Sequence, residues 1–89
     1  MERLTRQKGY YTMTAEEKAH EGLRLLKQAT LEVVALHPEG LRHADIVKLL
    51  DIPSDYQGKQ KNYLSWSVVG LLINAGLLRR EGMRYFPAK

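Results

Sequence analysis

The 89-residue chain contains no cysteine. That one absence removes disulfides, thiolate-held metals and cysteine nucleophiles together, and it agrees with a reducing compartment. No apolar run approaches the roughly 20 residues of a membrane-spanning helix, and Met1 to Tyr11 lacks the apolar centre of a secretory signal. A cytoplasmic protein without a membrane partner is expected. Residue patterns that carry chemistry are also missing: there is no glycine-rich phosphate loop, no nucleophile elbow and no carboxylate pair set with a base. His20, His37 and His43 lack metal-ligand spacing. Glu16, Glu17 and Glu21 fall in the first turns of a helix, where the backbone dipole favours carboxylates without any catalytic role. The expectation is a non-enzyme with no cofactor and no metal, whose catalytic or regulatory partner, if it has one, is a separate chain.

What the chain does contain is enough for one small domain. A hydrophobic share of 44% and a charged share of 27% belong to an ordinary globular protein, so folding without a partner is expected. The net charge of +4 hides an uneven distribution. Met1 to Met13 carries Arg3, Arg6 and Lys8 against Glu2, while Thr14 to Asp51 has seven acids and five bases. From Gln57 onward Lys59, Lys61, Arg79, Arg80, Arg84 and Lys89 face Glu81 alone. Positive charge therefore flanks the segment from Asn62 to Leu78. Such a pattern is either a solvated surface that keeps the domain soluble or a footprint for phosphates.

Residues 1–13 have no helical period and read as a flexible basic arm, with the folded domain over 14–89. Thr14-Ala15-Glu16-Glu17 matches a capping box and starts a helix. Its apolar stripe runs through Leu23, Leu26, Thr30, Val33 and Val34 to Leu36, where His37-Pro38-Glu39-Gly40 stops it. Gly22 is a place for this helix to bend or split. Unbroken, it would span roughly 33 Å, more than a domain of this size needs for its own core, and the excess suggests packing on a second copy. Leu41-Arg42 follows as an edge strand or a linker. Ala44, Ile46, Val47, Leu49 and Leu50 then define a second helix capped by His43 or a neighbour, and Asp51-Ile52-Pro53 ends it. The polar stretch from Pro53 to Gln60 makes a longer connection than the three or four residues of a compact helix-turn-helix.

On a helical wheel centred on Leu72, Leu64, Val68, Val69 and Ala75 form the core face of a third helix, with Leu71 and Ile73 at its margins. Tyr63, Ser67, Gly70 and Asn74 lie opposite, with Trp66 at the edge. Gly70 costs helix stability relative to alanine, so it implies either tight packing on the first helix or a smooth outward surface. The helix stops at Gly76, and the apolar and basic runs Leu77 to Arg80 and Met83 to Phe86 follow about Gly82. That order is the sequence form of a recognition helix plus a β-wing, in which Tyr85 or Phe86 closes the core. The fold class expected is mainly α with a small β-hairpin, three helices plus a wing.

Three segments carry a resemblance to the winged helix-turn-helix family over roughly Leu23 to Pro87. They are the first helix through Val34, Gly40 to Leu50, and Val68 to Arg80. An aromatic residue early in the third helix, followed by Ala75-Gly76-Leu77-Leu78 at its end, is also similar to the amino-terminal domain of Mrr-type restriction endonucleases. The resemblance implies binding of double-stranded DNA, with the third helix in the major groove and its amino end nearest the base edges. Asn62, Tyr63, Ser65, Trp66 and Ser67 are then the candidate contacts, with Asn74 further along the outward stripe. Lys59 and Lys61 before the helix and Arg79, Arg80 and Arg84 on the wing would meet phosphates and supply affinity rather than sequence preference. The first reading of Asn62 on its own is a helix cap, and that of Tyr63 and Trp66 is packing at the edge of the core face. The function expected is a small regulator or the targeting piece of a DNA-processing system, dimeric through the first helix. The alternative is a protein-interaction module docking a helix on Trp66, Tyr63 and the Gly70 gap, and a minor variant stacks the aromatics on single-stranded bases.

Overall fold

Helix α1 (Ala15–Ala35) begins where Thr14 and Glu17 close the expected capping box. The Glu17 amide donates to Thr14 Oγ1 at 3.1 Å and the Thr14 amide to Glu17 Oε1 at 2.9 Å, so side chains satisfy donors that a helix start leaves free. In this computed structural model, residues 12–56 and 60–88 are described, without the side chains of residues 55, 56, 60 and 61. Residues 1–11, most of the expected arm, lie outside that range. Helix α1 passes Gly22 without a break, and its 21 residues cover about 32 Å. At its end His37 Nδ1 donates to the Val33 carbonyl at 2.8 Å, and Gly40 turns the chain at φ +87°.

The next residue, Leu41, exchanges two backbone hydrogen bonds with Tyr85, at 3.1 and 2.7 Å, so it is an edge pairing rather than a linker. Helix α2 (His43–Leu50) has Arg42 at its cap position, and the Asp45 carboxylate accepts from the Arg42 amide at 3.1 Å. Asp51, left-handed at φ 55°, ends it. Two short strands, β1 (Asp55–Tyr56) and β2 (Gln60–Lys61), pair antiparallel within the long connection to helix α3 (Tyr63–Asn74). A Schellman motif stops α3: the Leu77 amide donates to the Leu72 carbonyl at 2.9 Å and the Gly76 amide to the Ile73 carbonyl at 3.0 Å. Gly76 takes φ +77°, a conformation that glycine adopts without steric cost. Strands β3 (Leu78–Glu81) and β4 (Arg84–Pro87) then form an antiparallel hairpin in which Arg79 faces Phe86 and Arg80 faces Tyr85. Its two-residue turn carries a positive φ at Gly82 alone, as a type II′ turn does.

The fold is mainly α with a small β-hairpin, and the three helices and the β3–β4 hairpin share one core. Val34 of α1, Leu41, Ile46 of α2, Val68, Val69 and Leu72 of α3, and Leu78 and Tyr85 of the hairpin make up that cluster. Tyr85, not Phe86, closes it. Three expectations need correction. Leu64 and Ala75 are exposed, while Ser65 is buried with only 1% of its surface accessible. The reason is rotational: Ser65 precedes Leu72 by seven residues and lies about 20° from it on the wheel, whereas Leu64 and Ala75 lie about 60° to 80° away on the other side. The core face is therefore centred between Leu72 and Ser65. At Gly70 an added Cβ would meet nothing within 4 Å, which removes tight packing on α1 as its reason. Leu23, expected in the α1 stripe, is also exposed. Among the described residues no helix is long and apolar enough to cross a membrane.

Candidate nucleic-acid interface

Ser65 is where the core meets the surface. Its hydroxyl donates to the Asn62 carbonyl at 3.1 Å and lies 2.9 Å from His43 Nε2. A carbonyl only accepts, so the single hydroxyl proton is committed there and His43 Nε2 must carry the hydrogen of the second bond. Burial lowers the His43 pKa and favours this neutral ring. On the other side of the imidazole lies Trp66, with ring centroids 3.7 Å apart and planes inclined by 16°. The indole therefore packs on His43 rather than in the apolar core, and 47% of Trp66 remains exposed.

The start of α3 is held from outside the helix. Ser54 accepts from the Leu64 amide through Oγ and from the Tyr63 amide through its carbonyl, both at 3.0 Å. Asn62 occupies the cap position in a left-handed conformation, and its Oδ1 turns back to accept from the Ser54 amide at 3.3 Å. Tyr63 and Ser67 are exposed, the Ser67 hydroxyl donating to the Tyr63 carbonyl at 3.1 Å. Asn74 is exposed as well, but eight residues and about 12 Å of helix separate it from Trp66. Lys59 and the Lys61 side chain lie outside the described residues.

Strand alternation divides the three hairpin arginines between two faces. Arg79 and Arg84 point outward with Phe86. The Arg79 guanidinium pairs with Glu81 and lies 4.7 Å from the Phe86 ring centroid, while Arg84 donates to the Gly40 carbonyl at 2.9 Å. Arg80 shares the inward face with Tyr85 and emerges beside α3, its Nε donating to the Gly82 carbonyl at 2.9 Å. The result is an open cleft of about 400 Å³ lined by Arg42, His43, Ala44, Trp66, Arg80, Met83 and Tyr85. Of these, sequence reasoning singled out Trp66 and Arg80 for the site. Arg42, His43 and Met83 were missed, although Arg42-His43 at the mouth of a short helix was a visible signal. A second cleft, also about 400 Å³, lies between α1 and the end of α3, lined by His20, Leu23, Arg24, Lys27, Gln28, Leu31, Leu72 and Leu77.

Among the described residues no three His, Cys, Asp or Glu side chains are placed to hold a metal ion. What the first cleft offers is an aromatic ring, two guanidiniums and an apolar wall, a combination suited to binding anionic, planar groups. No family model, curated protein or solved structure matches the chain.

Proposed function

We propose that the chain is a winged-helix-like module that binds duplex DNA, with the amino end of α3 in the major groove and the hairpin arginines on phosphates. The observation that carries this proposal is the shared cleft of Trp66 and Arg80, which puts the exposed start of α3 and one arginine of the hairpin on one face. Tyr63 and Ser67 extend that face along the helix. The gap at Gly70 leaves the same helix smooth where a groove wall would approach. In a cell such a module serves as a small regulator or as the targeting piece of a DNA-processing system.

The test is binding of the purified protein to a labelled duplex of random sequence, titrated over salt beside a variant with Arg79, Arg80 and Arg84 changed to Gln. Counterion release makes affinity fall linearly on logarithmic axes, with a slope of about 0.9 per phosphate contact on duplex DNA. The variant should bind less tightly on every sequence and with a shallower slope. Absence of binding at low salt would overturn the proposal.

The cleft between α1 and the end of α3 favours a second component, a two-fold dimer. Of the α1 side chains only Thr30 and Val34 are fully buried and Leu26 is the first to pack against the core, so the helix before Leu26 adds little to it. Leu23, Leu31 and Leu77 line an apolar floor, with Arg24 and Lys27 on its rim. An antiparallel second copy would bring its acidic first turns, Glu16, Glu17 and Glu21, alongside those bases, and two-fold symmetry repeats the match. In the competing protein-docking reading, Trp66, Tyr63 and the open space at Gly70 take a helix from a different chain.

A further inference from the structure

We infer that the cleft between Trp66 and the hairpin seats an unpaired nucleobase together with its adjoining phosphate. The inference rests on the DNA-binding reading and sharpens it, because a base inside an intact duplex presents its edge to a protein and keeps its faces stacked. A tryptophan that is to stack needs a base whose face is free: at a strand end, in a gap, or turned out of the helix.

The cleft meets that requirement in several independent ways. One face of the indole is covered by His43 at 3.7 Å, and the 47% exposure of Trp66 leaves the rest of it open. The ring behind it is not free to move aside, since His43 is buried and tied through Ser65 to the Asn62 carbonyl. Trp66 is thus a platform fixed before any ligand arrives, which lowers the entropy cost of binding. The volume of about 400 Å³ lies within the range of small-molecule sites. Met83, exposed at the tip of the hairpin, supplies an apolar wall on the hairpin side.

Charge selects the anion that accompanies the base. The lining holds two guanidiniums and no carboxylate. Arg42 is partly offset by Asp45, 3.9 Å from its Nε, so Arg80 is the stronger phosphate partner. The bond from Arg80 Nε to the Gly82 carbonyl fixes that guanidinium at the hairpin tip and leaves its two terminal nitrogens uncommitted among the described residues. Phosphate recognition by a positioned guanidinium needs no more than those two donors.

Trp66 is the chain's single tryptophan, so fluorescence excited at the red edge of the indole band, where the five tyrosines do not absorb, reports on this cleft. The full chain is titrated with a blunt hairpin duplex, the same duplex carrying three unpaired thymidines at its 3′ end, the same extension made abasic, and thymidine 5′-monophosphate. The thymidine extension should quench Trp66 and bind about tenfold tighter than the blunt duplex, in keeping with the stacking of one base. The abasic extension should lose both effects. Arg80→Gln should remove most of the gain while melting as the parent does. Trp66→Leu, followed through the anisotropy of labelled DNA, should bind blunt and extended duplexes alike. Monophosphate binding as tight as that of the extended strand would identify a free nucleotide as the source of the same chemistry, and much weaker binding would identify the strand. Equal affinity for blunt and extended duplexes, with no quenching by either the extension or the monophosphate, would overturn the inference. Failure of duplex binding itself is read separately, from the blunt hairpin.

Discussion

Ser65 decides more than its size suggests. As a small hydroxyl near the start of α3 it reads from sequence as a groove contact, yet it fills the centre of the buried face and joins α2 to α3 through His43. The seven-residue step from Ser65 to Leu72 was legible, whereas the partner of its hydroxyl was not, because His43 lies 22 residues away in the chain. Ser65→Ala should cost about 1 to 3 kcal/mol, the penalty for leaving the buried His43 Nε2–H without an acceptor; denaturant midpoints measure it, and an unchanged midpoint would show the bond to be dispensable. The histidine also predicts a pH dependence. Its pKa is lowered by burial from the ordinary 6.5, so above about pH 6.5 both folded and unfolded chains hold it neutral and its contribution to stability is complete. As pH falls below that value the unfolded chain takes the proton first, and stability declines until the folded pKa is passed. An NMR titration of the His43 ring should give a value below 6.5, and a value at or above it would contradict the burial argument. At the same scale the hairpin arginines should be unequal: Arg79 is paired with Glu81 and stacked on Phe86, so Arg80→Gln should weaken DNA binding more than Arg79→Gln.

The elements were the most legible part of the chain, because their boundaries rest on local chemistry. Thr14 and Glu17 announced α1, Gly76 announced the end of α3, and Gly82 announced the hairpin turn. What could not be read was how far each helix rotates about its axis, since that depends on what packs against it. Hence Leu64 and Ala75 were assigned to the wrong side while Val68, Val69 and Leu72 were assigned correctly. Glycines make the distinction testable. Gly22 and Gly70 both sit inside helices with open space where a Cβ would go, so each change to alanine should stabilise the fold by up to about 1 kcal/mol. If α3 enters a groove at Gly70, Gly70→Ala should at the same time weaken duplex binding, whereas Gly22→Ala should not. Gly40 behaves oppositely: its φ is +87° and a Cβ would stand 2.6 Å from Phe86 Cζ. Gly40→Ala should therefore lower the melting temperature through both strain and overlap; a variant as stable as the parent would mean that Phe86 swings away freely.

At the scale of the whole molecule, the length of α1 and the position of its core contacts pose one question. A helix of about 32 Å whose fully buried residues, Thr30 and Val34, lie in its last two turns leaves its first half facing, among the described residues, only the open cleft at the end of α3. Sequence reasoning saw the excess length; the cleft with Leu77 that continues its apolar floor became visible only in the fold. If that floor is covered by a second copy, Leu23→Asp should convert the protein to a monomer in sedimentation velocity, since it buries a charge at the centre of an apolar contact. The fold should survive, because Leu23 is exposed within the single chain. Lys27→Glu should weaken the same association by placing a carboxylate among the acids of the opposing helix, and Glu21→Lys in the same chain should restore it in part. The consequence for DNA binding is geometric. A two-fold dimer presents two copies of α3, so its preferred site should be a pair of inverted half-sites, and Leu23→Asp should bind one half-site with unchanged affinity while losing the gain from the second. A parent protein that sediments as a monomer at tens of micromolar, and gains nothing from a second half-site, would remove the dimer and leave the α1 cleft to a partner of another kind.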